Sequence, residues 1–447
     1  MKLTNLKHSQ QKLQNGGKIL VLNTGAVIKP ESEAMLQALH SRSVGGIYEH
    51  LKVLNEKGSK NFMSTFYVGY GHKSIGDCGN ATIFIEGVSM LAAKAIQDWR
   101  LYSGQEASTR YVDFAKQKFI NPVDKKSAEV ILEDWRKFYL KGVKEIVPDL
   151  KERYPINKNE KERLYEKAIQ ARAFDIMRGF LPSGASTNLA WHSNLRQIAD
   201  KLTELRHHPL KEVRTVALSI EKAVLEAFPN SFTLKRYPET EKYIKKYMKD
   251  YYLKDRSTPE FSLSNDSVKT DLLKKYRKLI AVRPPRTELP RQIAECGTVE
   301  FRFLLDFGSF RDIQRQRAVI QRMPLVTDYY GFNSWYLEQL TPELRKEAQH
   351  LINKQKKAVN KLKLTPEIKQ YYLPMGYNIP NRLTGDLHAL VYLTELRATR
   401  FVHPTLRKVA LEMAEELKKR HRIKIHLDND PDRFDIKRGE HDIVIKK

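Results

Sequence analysis

The chain has 447 residues, 41% of them hydrophobic, and a formal charge of +26 from 79 lysines and arginines against 53 acids. That length and apolar content exclude a disordered polymer and allow two or three domains with substantial cores. Its two cysteines, Cys78 and Cys296, exclude a disulfide framework and are too few for a thiolate zinc site, so no metal is expected.

The first segment, "MKLTNLKHSQQKLQNGG", has no continuous apolar run. The most apolar stretch, "ATIFIEGVSMLAAKAI", is interrupted by Glu86 and is too short to cross a bilayer. A soluble cytoplasmic protein with no membrane partner is expected. The excess positive charge points to polyanions, whether nucleic acid, nucleotide cofactors or an anionic membrane, or else to a merely solubilising surface.

In chain order, helical periodicity covers residues 32–57, and alternation predicts a strand over 81–86 followed by a helix through Arg100. The stretch "QDWRLYSGQEASTRY" then places Ser103, Glu106, Ser108, Arg110 and Tyr111 after a helix end, where hydroxyls, backbone N–H groups and a guanidinium can converge on one anion. Arginine suits phosphate because its planar fork donates two parallel charge-assisted hydrogen bonds. The same residues could equally form a capping cluster with a Glu106–Arg110 pair.

Amphipathic helices follow over Leu195–Leu205 and 212–227. Between Ala227 and Asp266, Tyr243, Tyr247 and Tyr251 recur at helical spacing among lysines, and Pro259 ends the pattern. That helix either stacks on bases or packs its tyrosines on a neighbour with its lysines solvated, and the packed form is the commoner. His207 and His208 lack metal-ligand spacing, Trp191 reads as core, and the aspartates from Asp428 onward read as a turn followed by a short hairpin.

The chain is written twice. "SIGDCGNATIFIEGVSMLAAKAIQDWR" parallels "QIAECGTVEFRFLLDFGSFRDIQRQR", with the two cysteines in equivalent places. Leu-Pro-x-Gly, "LTELR" and His-Pro then recur in the same order in both halves. The expected division is a first module over 1–228, a basic Tyr/Lys-rich linker over 229–259 and a second module over 260–447.

"GHKS" at 71–74, an acid at Asp77, an apolar strand and helix, then Arg100 followed by "SGQEASTRY" resembles the flavin-dependent thymidylate synthase (ThyX) family. Arg100 and Ser108 keep the spacing between the last arginine and the serine of that family's Arg-His-Arg-x7-Ser signature. The resemblance implies an α+β fold of two tandem ThyX-like modules, each a small antiparallel sheet packed with long helices.

The resemblance also implies reductive methylation of dUMP to dTMP, with FAD as cofactor and NADPH and methylenetetrahydrofolate as co-substrates. Carried over residue by residue, it gives Ser108, Arg206 and Arg397 catalytic roles. Gln105, Glu106, Ser108, Arg110, Tyr111, Arg178 and Arg315 would bind substrate. His72, Ser74, Arg100, Asn194, Arg315, Gln316 and Arg317 would bind cofactor.

The copies depart from the signature in opposite directions. The first has "DWR" for Arg-His-Arg but keeps the serine side, whereas the second has "RQR", Arg315–Arg317, but Leu325 for the serine and Thr327 and Asp328 for Arg-Tyr. Arg178 precedes Leu-Pro in the first copy and Gln370 in the second. Members of the family are homotetramers with a nucleotide pocket shared between subunits. The departures therefore predict one composite site per chain, Ser108, Arg110 and Arg178 facing Arg315, Arg317 and Arg397, in a homodimer that forms a pseudo-tetramer.

Cys78 and Cys296 stand where the family has histidine, either as nucleophiles or, more commonly for the residue type, as small buried groups. The large positive charge leaves open a pyrimidine in DNA or RNA as substrate, and motif loss leaves open a non-catalytic nucleotide-binding or nucleic-acid-binding relative.

Overall fold

The computed structural model describes residues 8–22, 29–42, 47–69, 73–110, 112–158, 161–233 and 235–428. Strands β1 (His8–Lys12), β2 (Lys18–Leu22), β3 (Asn80–Ser89), β4 (Ser103–Glu106) and β5 (Ser186–Asn194) form an antiparallel sheet ordered β1-β2-β3-β5-β4. In β3, Ala81, Ile83 and Ile85 point inward at 2% exposure or less, the period-2 burial that alternation predicts. The strand outruns its predicted end because a bulge between Ile85 and Val88 lets pairing continue to Ser89. Gly87 sits in that bulge at φ +70, a conformation that suits a residue without Cβ.

Strands β6 (Phe261–Asp266), β7 (Thr298–Asp306), β8 (Ile320–Gln321) and β9 (Asn378–Asp386) make a second antiparallel sheet, ordered β6-β7-β9-β8. Val299, Phe301, Phe303 and Leu305 repeat the inward alternation along β7. Helices leave the strands through side-chain caps: Ser89 and Asn194 in the first half, Asp306 and Asp386 in the second. Two small sheets with long helices are the α+β arrangement expected.

The compact units and the sequence repeat divide the chain differently. One unit is Met1–Ala107 with Ser186–Tyr251, the other Ser108–Ala185 with Tyr252–Lys447. The first sheet lies in the former and the second sheet in the latter. The helices Lys126–Arg153 and Glu162–Met177, written in the first half of the sequence, therefore fold into the unit that holds the second sheet. Trp135 fixes this arrangement, fully buried with its Nε1 donating to the Tyr372 carbonyl at 3.2 Å.

Within that second unit the two Leu-Pro-x-Gly segments pair with each other. Pro182 and Pro374 form an antiparallel bridge. Ser183 N donates to Leu373 O and Met375 N to Leu181 O, both at 2.8 Å, while Gly184 N reaches Tyr371 O at 3.0 Å and Gly376 N reaches Gly179 O at 2.7 Å. Every bond in one direction has its equivalent in the other, so the segments are related by a local twofold.

Other boundaries differ from the sequence reading. The 32–57 stretch is two helices, Pro30–Arg42 and Ile47–Lys57, and the helix before Arg100 ends at Gln97. The Tyr/Lys-rich helix spans Pro238–Tyr247 with a 3-10 turn to Asp250, so it stops well before Pro259. The C-terminal hairpin expected near 432–446 lies outside the described residues.

Candidate functional site

Strand β7 ends at Asp306, which accepts the backbone N–H of Ser309 at 2.9 Å and so starts the helix Phe307–Ile313. The same buried carboxylate accepts the Tyr336 hydroxyl at 2.6 Å on one oxygen and the Thr405 hydroxyl at 2.6 Å on the other. Ser309 Oγ lies 2.7 Å from Thr405 Oγ1 and 3.2 Å from His403 Nδ1. Thr405 has one proton and gives it to Asp306, so it accepts the Ser309 hydroxyl, and His403 Nδ1 lies 2.9 Å from Thr405 Oγ1 as well. His403 Nε2 faces the Asp175 carbonyl at 3.4 Å. Burial, reinforced by Arg178, pushes His403 well below the usual histidine range and keeps it neutral.

Arg178 enters this network from the other half of the sequence and donates from Nη2 to Ser309 Oγ at 3.1 Å. Its Nη1 lies 3.6 Å from Asp312. Burial opposes its charge, but Tyr336, Asp312, Asp175 and Asp306 together raise its affinity for the proton. Gly308 leaves the space for this, since a Cβ there would sit 3.0 Å from Asp306 Oδ1 and 3.4 Å from Arg178 Nε.

Asp312 gathers the remaining cations. Burial pushes its carboxyl up, but Arg178, Arg315, Arg397 and Arg311 more than reverse this and hold it below the ordinary range. Arg397 is pushed down by burial and by Arg315, which Asp312 only partly offsets. Its Nε is buried with no hydrogen-bond partner among the described residues.

Arg110 is held by a bidentate pair with Asp175, Nε to Oδ1 at 2.9 Å and Nη2 to Oδ2 at 2.6 Å, and its own N–H meets Ser108 Oγ at 3.4 Å. Burial disfavours the Arg110 charge, but Asp175 outweighs it. Around these residues five guanidiniums face three carboxylates, Asp175, Asp306 and Asp312, all within one compact unit. Such a partly desolvated cationic excess suits a phosphorylated ligand.

The family described as thymidylate synthase complementing protein matches residues 28–230 and again residues 239–421. The chain belongs to that family. Membership supports a nucleotide-modifying enzyme of methyltransferase type. Similar curated proteins are a UPF0159 protein of Chlamydia pneumoniae, 25% identical over 78% of this chain and 76% of its own, and one of Thermoplasma acidophilum, 23% identical over 82% and 88%.

Similar solved structures include the thymidylate synthase X of Helicobacter pylori with FAD and dUMP, 19% identical, covering 44% of this chain and 89% of its own at TM-score 0.27. Another is the UMP/dUMP methylase PolB of Streptomyces cacaoi bound with 5-Br UMP, 13% identical, covering 48% and 90% at TM-score 0.28. No helix among the described residues is long and apolar enough to cross a membrane.

Of the other residues suggested by the family signature, Gln316 and Arg317 lie in the second compact unit and the rest lie in the first or outside the described residues. Glu106 is in a buried pair with Lys94 at 2.6 Å and accepts from Gln97 at 2.8 Å, while Arg110 turns to Asp175, so the Glu106–Arg110 pair allowed by spacing is replaced by two others. Gln105 lies exposed on β4, and Arg100 and Ser74 are exposed. Asn194 caps the Leu195–Leu205 helix through Gln197 N at 2.8 Å. His72 and Tyr111 lie outside the described residues. In the second unit Arg315 and Arg317 are exposed and Gln316 is half-buried.

The two "LTELR" arginines differ sharply. Arg206 is engaged by Glu221 at 3.0 Å and Glu241 at 2.6 Å, and these acids also hold Arg236 and His207. Cys296 is fully buried, and burial followed by Glu295 pushes its thiol up, away from nucleophilic character. The second module's own counterpart of the serine loop is filled from within. Asp328 lies 2.8 Å from Lys369 and 3.9 Å from Lys356, and Gln370 accepts Val326 N at 2.9 Å.

The sequence reading missed Asp175, Asp306, Ser309, Asp312 and His403. His403 belonged to the His-Pro landmark used to find the repeat, and Asp175 stands three residues before Arg178, in the last turn of the helix that Arg178 caps. Asp306 and Asp312 had no signal beyond proximity to Arg315.

Proposed function

We propose that the chain is a flavin-dependent thymidylate synthase-type enzyme that reductively methylates dUMP at one site per chain. The observation that supports this is the convergence of Ser108, Arg110 and Arg178 with Arg315 and Arg397 in one unit, around Asp175 and Asp312. Each half of the sequence keeps the part of the signature that the other has lost.

In this reading Arg397, whose charge is disfavoured where it sits, stabilises negative charge developing on the uracil oxygen, as donors do in an oxyanion hole. Arg110 is oriented by Asp175 through Nε and Nη2, which leaves Nη1 for a phosphate, and Ser108 supplies a hydroxyl. Exposed Arg315 and Arg317, with Gln316 between them, form a donor set suited to the phosphates of FAD, and the orphaned Arg397 Nε fits an anionic neighbour. The flavin supplies the redox chemistry, with NADPH as reductant and methylenetetrahydrofolate as carbon donor. Two chains complete a pseudo-tetramer.

Equilibrium dialysis of dUMP against the FAD-loaded protein tests this reading. One dUMP per chain is expected, with binding lost in Arg397→Ala. Two dUMP per chain, or undiminished binding in that variant, overturns it.

A further inference from the structure

The site above does not use the segment joining the two halves, whose helix opens the second stretch that matches the family. The segment carries Lys235, Tyr237, Lys242, Tyr243, Lys245, Lys246 and Lys249 in a short span. The Pro238–Tyr247 helix is fastened by its inner face: Ile244 and Met248 are buried, Glu241 turns to Arg206 and His207, and Tyr247 donates to Glu204 at 3.1 Å. Just beyond it, Tyr251 packs edge-on to His208 at 4.4 Å.

The outer face carries exposed phenol rings and ammonium groups, with Glu239 in its first turn and Asp250 at its end. Of the three tyrosines at helical spacing, Tyr247 and Tyr251 engage neighbours as the packed arrangement requires, whereas Tyr243 turns outward at 68% exposure, as does Tyr237 at 59%. Tyr243 meets Tyr247 at 5.4 Å, and the Lys235 ammonium lies 5.1 Å from the Tyr237 ring. All five lysines are exposed, and none has a carboxylate partner among the described residues; Glu241 turns to the inner side.

We propose that this face docks single-stranded nucleic acid. An exposed phenol ring offers a stacking surface to any unpaired base, and flanking ammonium groups hold the backbone. Duplex DNA keeps its bases stacked and gives the tyrosines nothing to meet. An anionic membrane suits the charge but not the surface, since no Leu, Ile, Phe or Trp is exposed between Lys235 and Asp250. The whole-chain charge of +26 favours any polyanion, and here it is interleaved with outward aromatic rings on and just before one short helix.

The test uses the full chain and fluorescence anisotropy with labelled 20-nucleotide oligo-dT and oligo-U at low and moderate salt. Binding that weakens with salt is expected for at least one of the two, and the pair of probes tells DNA from RNA. Tyr237→Ala and Tyr243→Ala should each weaken binding about tenfold by loss of stacking. Replacing Lys242, Lys245, Lys246 and Lys249 with alanine should flatten the salt dependence. All these variants are to keep the wild-type melting temperature and dUMP affinity. The proposal is overturned if neither probe binds, if both tyrosine variants bind as tightly as wild type, or if duplex DNA or phosphatidylserine vesicles are preferred over the oligonucleotides.

Discussion

Arg206 and Arg397 come from the same five-residue motif and both leave Nε without a partner among the described residues, yet two carboxylates pair with the first and the second is under-compensated. Arg206→Ala should cost about 3 kcal/mol, the scale for breaking a buried pair, because Glu221 and Glu241 lose a shared cation. Arg397→Ala should leave stability within about 1 kcal/mol, since a charge disfavoured by burial is removed, and should reduce kcat/KM at least a hundredfold. Thermal melts and steady-state assays on both variants separate the roles. Comparable losses of activity with equal melting temperatures would contradict the assignment.

His403 makes a pH prediction at the same scale. In the unfolded chain a histidine binds a proton near pH 6.5, whereas the folded protein keeps His403 neutral, so below that pH the unfolded state binds more protons. Stability should therefore fall as pH drops from about 7 to about 5, by up to about 1.4 kcal/mol per unit for each such residue. His208, also buried and pushed down by burial, adds a second contribution. Urea unfolding at several pH values should show His403→Gln losing one proton's worth of this slope.

The site's supporting shell was illegible for a reason visible in single residues. In the first half Ser89 caps its helix and donates to Glu212 at 2.6 Å. In the second half Asp306 caps its helix and accepts from Thr405 at 2.6 Å. The acid and hydroxyl have changed places between equivalent elements. Reading either half gives two unrelated polar residues far apart in sequence, and only the fold brings them into one bond.

Elements were easier to read than boundaries. Period-2 burial in β3 and 3.6-period burial in the Leu195–Leu205 helix follow directly from apolar spacing, so both were found. The bulge at Gly87 and the early end of the Pro238–Tyr247 helix depend on neighbouring chain and were not. The paired Leu-Pro-x-Gly segments show why those glycines recur. At Gly376 a Cβ would come 2.4 Å from the Phe332 ring and 2.8 Å from Gly179 O. Gly376→Ala should destabilise the protein by about 2 kcal/mol through overpacking. Because Gly179 adjoins Arg178, it should also weaken dUMP binding; a melting curve and a binding isotherm on one preparation check both.

At the scale of the molecule, charge and repetition were legible and the partition into compact units was not. The copies are written end to end, but Ser108–Ala185 folds with the second sheet. Calorimetric titration should give one nucleotide per chain, since in the second module Asp328 satisfies Lys369 and approaches Lys356 where an outside anion would be needed. Opening that position with Asp328→Ala should raise affinity for inorganic phosphate without raising turnover, as read by phosphate protection against thermal unfolding.

The folding of residues 108–185 with the second half has a consequence for where the chain can be divided. A reading frame cut between the halves would strand residues 108–185 on the product that lacks the sheet they fold with, and would leave the other product without those helices.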